Sequence, residues 1–157
     1  MWDLRPLKLT GSKLEKLCDI VGITINSPSA TSLSPTSPLA NCPPTENAVS
    51  GDTNAQVPGG IRLGTAALTS RNMTEDDMKI VADFLHRAVQ ISLTLQQEAG
   101  SKLLKDFVRV ATTPGDGKVG AQQVTDLGKE VRVFARRWPL PGVDVSTLVR
   151  PAGIEED

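Results

Sequence analysis

The chain has 157 residues, enough for one domain of ordinary size and too few for two large ones. Apolar residues make up 39% and charged residues 22%, so a packed core is expected and wholesale disorder is not. Seventeen basic against 18 acidic side chains leave a net charge near −1, which excludes binding nucleic acid or an anionic membrane by bulk electrostatics.

Trp2 to Arg5 alternate apolar and polar residues and predict a short half-buried strand stopped by Pro6. Gly11 to Gly22 reads as a helix: Ser12 can cap its start, Leu14, Leu17, Cys18 and Val21 share one face, and Gly22 sits where a left-handed C-cap belongs. Ile23-Thr24-Ile25 has the β-branched composition of a strand. Residues 27–46 differ from everything around them: five Pro, five Ser and three Thr fill 13 of 20 positions. Such a segment buries too little apolar surface to offset its ordering entropy, so a disordered insertion is expected there. Its Pro35/Pro38 pair forms a lone PxxP, a weak signal for a polyproline ligand.

Ile61 and Leu63 predict one face of a further strand, with Arg62 on the other. A long helix starts at Thr74, where Thr74 and Asp77 make a capping-box pair and three acidic residues complement the positive end of the dipole. Met78, Val81, Leu85, Ala88, Ser92 and Leu95 trace its inner stripe, widened by Phe84 and Ile91, until Gly100 interrupts. Leu103 to Ala111 form a second amphipathic piece, 112–120 a flexible linker, and Val124 to Trp138 a last helix ended by Pro139. Residues 151–157 read as a loose acidic tail. The expected fold class is α+β, a small sheet covered by helices on one side.

The stock of reactive side chains is thin. No run approaches the roughly 18–20 apolar residues of a membrane span, and the N-terminal segment lacks a signal-peptide core, so secretion is not expected. Two cysteines, Cys18 and Cys42, make neither a disulfide framework nor a zinc site; Cys18 shares the core stripe of its helix, and Cys42 falls in the insertion. His86 lies with Lys79, Asp83, Arg87 and Gln90 on a charged helix side, without a nucleophile or metal partner in its neighbourhood. The eight lysines (8, 13, 16, 79, 102, 105, 118, 129) all read as residues of charged faces or turns, none desolvated enough to act as a neutral amine. Arg62 is the sharpest feature. Gly60 and Gly64 flank it and leave little bulk to hide it, and its planar fork suits a carboxylate or phosphate. From the residues alone an arginine paired with a structural aspartate, or lying on a wet sheet face, accounts for the pattern as well.

In its full setting, GGIRLGTAALTSR (59–71), Arg62 resembles the serine hydroxymethyltransferase signature G-G-[IVL]-R-[IVL]-G-T-P-A-[LM]-T-[ST]-R-G. WDLRPLKLTGSKLEKLCDIVGITIN (2–26), FLHRAV (84–89) and WPLPGVDV (138–145) are similar to further segments of that family in the same order. The resemblance implies a pyridoxal-phosphate transferase of the aspartate aminotransferase fold, which interconverts serine plus tetrahydrofolate with glycine plus methylenetetrahydrofolate. It implies that residues 1–26 and 47–150 form the small C-terminal domain, roughly the last third of such an enzyme. Arg62 would then bind the amino acid's carboxylate, Asn47 would help hold the folate, and Arg71 would position the site.

The sequence also departs from the pattern. Residues 27–46 stand between Asn26 and Asn47, where the family has a single lysine; Ala66 replaces Pro and Asn72 replaces Gly. Asparagine tolerates a left-handed backbone, so the last change is mild. The segment bearing the cofactor-linking lysine is absent, as are the cofactor-stacking histidine and the pyridinium-pairing aspartate. The chain alone is therefore expected to hold no catalytic or cofactor-binding residue, no metal, and to be inactive by itself. Its expected partners are serine or glycine, folate and, through a full-length enzyme, further copies in a homo-oligomer; a cytoplasmic or mitochondrial location fits. Two alternatives stay open: a non-catalytic paralogue that docks on full-length family members, or a piece of a longer gene product.

Overall fold

A computed structural model describes residues 1–25, 59–101, 103–113, 119–139 and 141–142. The insertion 27–46, Asn47, Cys42 and the tail 151–157 lie outside these described residues.

Strand β1 (Trp2–Asp3) pairs antiparallel with β2 (Gly60–Ile61), Trp2 opposite Ile61 and Asp3 opposite Gly60. The backbone N–H of Leu4 donates to Gly59 O at 2.9 Å and continues the ladder. β1 is shorter than the 2–5 expected because Asp3 turns the chain by binding Arg5: its carboxylate accepts from the Arg5 backbone N–H (3.0 Å), Nε (3.0 Å) and Nη2 (2.8 Å). Arg5–Leu7 then form a 3-10 turn containing Pro6. Ile23 to Ile25 do not form a strand. Instead the Ile23 N–H donates to Cys18 O at 2.8 Å, closing a Schellman-type end over Gly22 (φ 83°), and Ile25 drops into the core. The β-branched composition here serves tertiary packing, with no partner strand among the described residues.

The rest is helical: α1 (Gly11–Val21), the single turn α2 (Ala66–Thr69), α3 (Glu75–Ala99), α4 (Leu104–Thr112) and α5 (Val119–Ala135). The class is α+β, dominated by helices, and among the described residues the sheet has two strands rather than three. α1 starts at Gly11 as expected, but its N-cap is Thr10, two residues before Ser12, which lies inside the helix. At α3 the Thr74–Asp77 pair forms as expected, Thr74 N–H and hydroxyl each donating to Asp77 Oδ2 at 2.7 Å. Gly100 (φ 60°) ends that helix in the left-handed conformation. Helical structure reaches both ends of the stretch expected as a linker: Thr112 closes α4, and Val119 and a buried Gly120 open α5.

α1, α3, α4 and α5 pack on one another, with β2 against α1. Leu14, Leu17 and Cys18 from α1, Leu95 from α3, Phe107 from α4 and Leu127 from α5 are wholly buried at the junction. At the far end of α3 and α5, Phe84 meets Phe134 edge-on (5.4 Å between ring centres), and Trp138 tilts against Phe134 at 4.6 Å. Trp138 lies beyond α5, which stops at Ala135. Arg87 clamps the same two helices from outside, donating to both Glu130 oxygens at 2.6 and 2.7 Å.

Candidate functional site

The segment from Ile61 to Thr74 is pinned at its ends and open in the middle. Ile61, 1% exposed, anchors the end of β2 in the core. The strand stops there, so Leu63 does not share a buried face with Ile61 and is exposed. Arg62 follows β2 directly, its backbone in a β-bridge and its side chain exposed, without a hydrogen bond or ion pair among the described residues. Two residues on, nothing approaches within 4 Å of where a Cβ at Gly64 would stand.

The chain then folds into α2, with Thr65 O accepting from Leu68 and Thr69 N–H (3.0 and 2.9 Å). Ala66, where the signature has Pro, is the first helical residue, a position that proline suits because the missing N–H has no helical partner. Asn72, where the signature has Gly, adopts φ 64°, and Met73 N–H reaches back to Leu68 O at 3.2 Å over it. Asparagine thus supplies the left-handed turn expected of it. Met73 is buried, and Thr74 begins the capping box of α3.

Arg71 ties this segment to a distant helix. Its Nη2 donates to Ala135 O at 2.8 Å and Trp138 O at 2.6 Å, so a guanidinium sits on the carbonyls at the C-terminal end of α5. The opposite end of α5 meets an anion: Glu98 Oε1 accepts from the Gly120 N–H at 3.2 Å. Neither contact is visible in local sequence, since the partners lie 64, 67 and 22 residues apart.

Other candidates behave more simply. Cys18 is fully buried, and burial pushes its thiol up to about 12, helped by Asp19 and Glu15. His86 is exposed on α3, as its charged neighbours imply. No group of three or more His, Cys, Asp or Glu able to hold a metal occurs among the described residues, nor is any helix there long and apolar enough to cross a membrane.

Lys13 corrects the reading of the lysines. It lies on α1 with only 4% of its surface exposed, Nζ 2.8 Å from Gln96 Oε1 and 5.8 Å above the Phe107 ring centre. Burial holds its pKa below the ordinary 10.5. The spacing carries a signal for this: residue 13 shares a helical face with Leu17 and Val21.

Arg62 lines neither the cleft of about 640 Å3 between α1, α4 and α5 nor the smaller ones on α3–α5 and beside α1. The described residues present an exposed guanidinium at Arg62, but they do not gather a set that fits pyridoxal phosphate. The buried amine of Lys13 engages Gln96 and Phe107, not Arg62, and His86 is turned to solvent.

Comparison with known proteins identifies the class. The family model for serine hydroxymethyltransferase matches residues 1–85, and the chain belongs to that family. It is 38% identical over 93% of its length to serine hydroxymethyltransferase 5 of Arabidopsis thaliana. It is 38% identical over 91% to a serine hydroxymethyltransferase of Caenorhabditis briggsae, and 34% over 87% to that of Plasmodium falciparum. The chain spans about a quarter of the length of these relatives, 25%, 24% and 25% respectively.

Proposed function

We propose that this chain supplies the substrate-carboxylate site of a pyridoxal-phosphate-dependent serine hydroxymethyltransferase, which interconverts serine plus tetrahydrofolate with glycine plus methylenetetrahydrofolate. Residues 1–26 and 47–150 correspond in this reading to the small C-terminal domain of such an enzyme. The cofactor, which supplies the electron sink, is held by chain outside these residues. Assembly with further copies, and an interior location in cytoplasm or mitochondrion, belong to the same reading; one relative is titled chloroplastic.

One observation carries it: Arg62 is exposed and unpaired among the described residues, in a segment fixed on both sides by Ile61, Arg71 and Met73. Its two-point fork fixes the carboxylate in the plane of the guanidinium, and orientation of a bound substrate can be worth several kcal/mol of barrier. Arg71 acts as a positioning residue, since its anchorage on α5 holds the turn from which Arg62 projects. Asn47 is assigned a folate contact by its match to the family motif, on the far side of the insertion.

The test is Arg62→Lys in a protein that carries this segment together with the remaining length of its relatives. The charge stays and the fork is lost, so glycine affinity should fall by about 2 kcal/mol or more, near thirtyfold. Unchanged affinity in a titration would return Arg62 to a merely solvated role. Exposed apolar side chains favour a second reading, a module that docks on longer family members: Leu103 (66%), Val119 (60%) and Val133 (63%) stand in water. Failure of the isolated chain to bind a full-length relative at micromolar concentration would end it.

A further inference from the structure

Lys13 presents a problem of chemistry that the carboxylate site does not solve. An ammonium carries three donors. Gln96 Oε1 takes one, the Phe107 face lies 5.8 Å away, and among the described residues no carboxylate pairs with it. Gln96 is itself tethered, because its Nε2 donates to Lys8 O at 3.2 Å. A buried charge is ordinarily paired, and leaving it unpaired is costly.

Lys13 borders open space. A cleft of about 510 Å3 is lined by Lys8, Thr10, Lys13, Gln96, Gly100 and Ser101. Its charged lining is two lysines and no acid, and the Thr10 hydroxyl makes no capping bond within α1. Lys8 is exposed at the mouth, held there by a left-handed backbone (φ 55°) whose N–H donates to Arg5 O at 2.9 Å. The pattern is a floor of one desolvated cation, a rim of another, and neutral donors between.

We propose that this cleft is a binding site for a small oxyanion, a phosphate or carboxylate group, seated on the Lys13 ammonium with Lys8 at its mouth. It is separate from the Arg62 reading and stands if that reading fails. The anion supplies the acceptors that Lys13 lacks, and Gln96 and the Phe107 ring keep the amine aimed rather than letting it extend into water. Binding also makes the protonated amine easier to hold in this buried place, so the occupied site keeps its charge to higher pH.

The experiment uses the 157-residue chain, observed by NMR at the Lys13 side chain and Gln96 amide while inorganic phosphate or acetate is added, against chloride at equal ionic strength. A saturable shift confined to Thr10, Lys13 and Gln96, with the Lys13 titration moving upward, supports the site. The stronger of the two anions names its chemistry. Lys13→Met replaces the buried charge by an apolar side chain of similar length, and should weaken binding by about tenfold or more while the fold persists; Lys8→Ala should weaken it less. No saturable shift with either anion, or shifts unchanged in Lys13→Met, would overturn the proposal and leave Lys13 held by Gln96 and the Phe107 ring alone.

Discussion

The pH behaviour of Lys13 is set by the direction of its shift. Its folded-state pKa lies below 10.5, the unfolded value, because burial penalises the charged form. Below the folded pKa both states hold the proton and stability does not change on this account. Between that value and 10.5 the unfolded chain binds more protons, so stability should rise with pH. Denaturant titrations in buffer free of phosphate and carboxylate should show this rise, and Lys13→Met should flatten it. Asp77 gives the same slope from the opposite cause, a charged form that is favoured rather than penalised: the Thr74 N–H and hydroxyl hold its carboxyl below 3.8, so the support it gives α3 is present above 3.8 and is lost as pH falls through the lowered value. A second residue-scale expectation concerns Ala66. It opens α2 with an N–H that none of the backbone hydrogen bonds around α2 uses, but Thr65 before it holds a helical backbone (φ −99°, ψ −6°) that a following proline disfavours, so Ala66→Pro should lower the midpoint of thermal unfolding rather than raise it.

Among the elements, α5 separates two kinds of glycine. A Cβ on Gly120 would stand 2.7 Å from Leu95 Cδ2 and 3.1 Å from Leu95 Cγ, and Leu95 is wholly buried. A Cβ on Gly128 would meet only Val21, its nearest atom Cα at 3.6 Å, an ordinary contact. Gly120→Ala should therefore cost about 1–3 kcal/mol, while Gly128→Ala should be neutral or gain up to about 1 kcal/mol from helix propensity. Equilibrium unfolding of the pair checks both signs. The same contrast between local and distant partners marks what is legible in the sequence. α1, α3 and α5 can be read from apolar spacing, and Gly22, Gly100 and the Thr74–Asp77 pair mark ends correctly, because those signals act over a few residues. Ile23–Ile25 resemble a strand because β-branched residues suit any half-buried surface, and only the missing partner decides otherwise. The residue type of Lys13 points to a charged face, whereas its helical position gives the buried one. Arg71 and Glu98 are beyond local reading, since each acts on a helix end reached only through the tertiary fold. Arg62 stands out by its glycine neighbours, and the family motif, not its spacing, supplies its role.

For the whole molecule, the described core is drawn from both sides of the proline- and serine-rich segment. Ile25 and Gly59, on either side of the gap, are both buried, and the sheet is registered by β1 and β2 alone. Deleting residues 27–46 should leave the helical circular-dichroism signal intact and change stability by only about 0.6 kcal/mol for each halving of the loop. A large loss of helix would show that the segment carries packing of its own. Phe107→Ala is the opposite case: it removes the ring at the meeting of α1, α4 and α5, beneath the Lys13 ammonium, and should cost about 3–5 kcal/mol.

With Glu98 gripping its first turn and Arg71 its last carbonyls, α5 is a tie-rod between the α3–α4 corner and the turn below Arg62. A rod of 17 residues is about 25 Å long, so the two ends are remote from one another in space. Its length is therefore a calibrated dimension of the protein. A one-residue insertion in the exposed side of α5 would rotate its end by about 100° and carry the Ala135 carbonyl away from Arg71. The turn that carries Arg62 would then lose its footing through a change that touches neither it nor anything adjoining it.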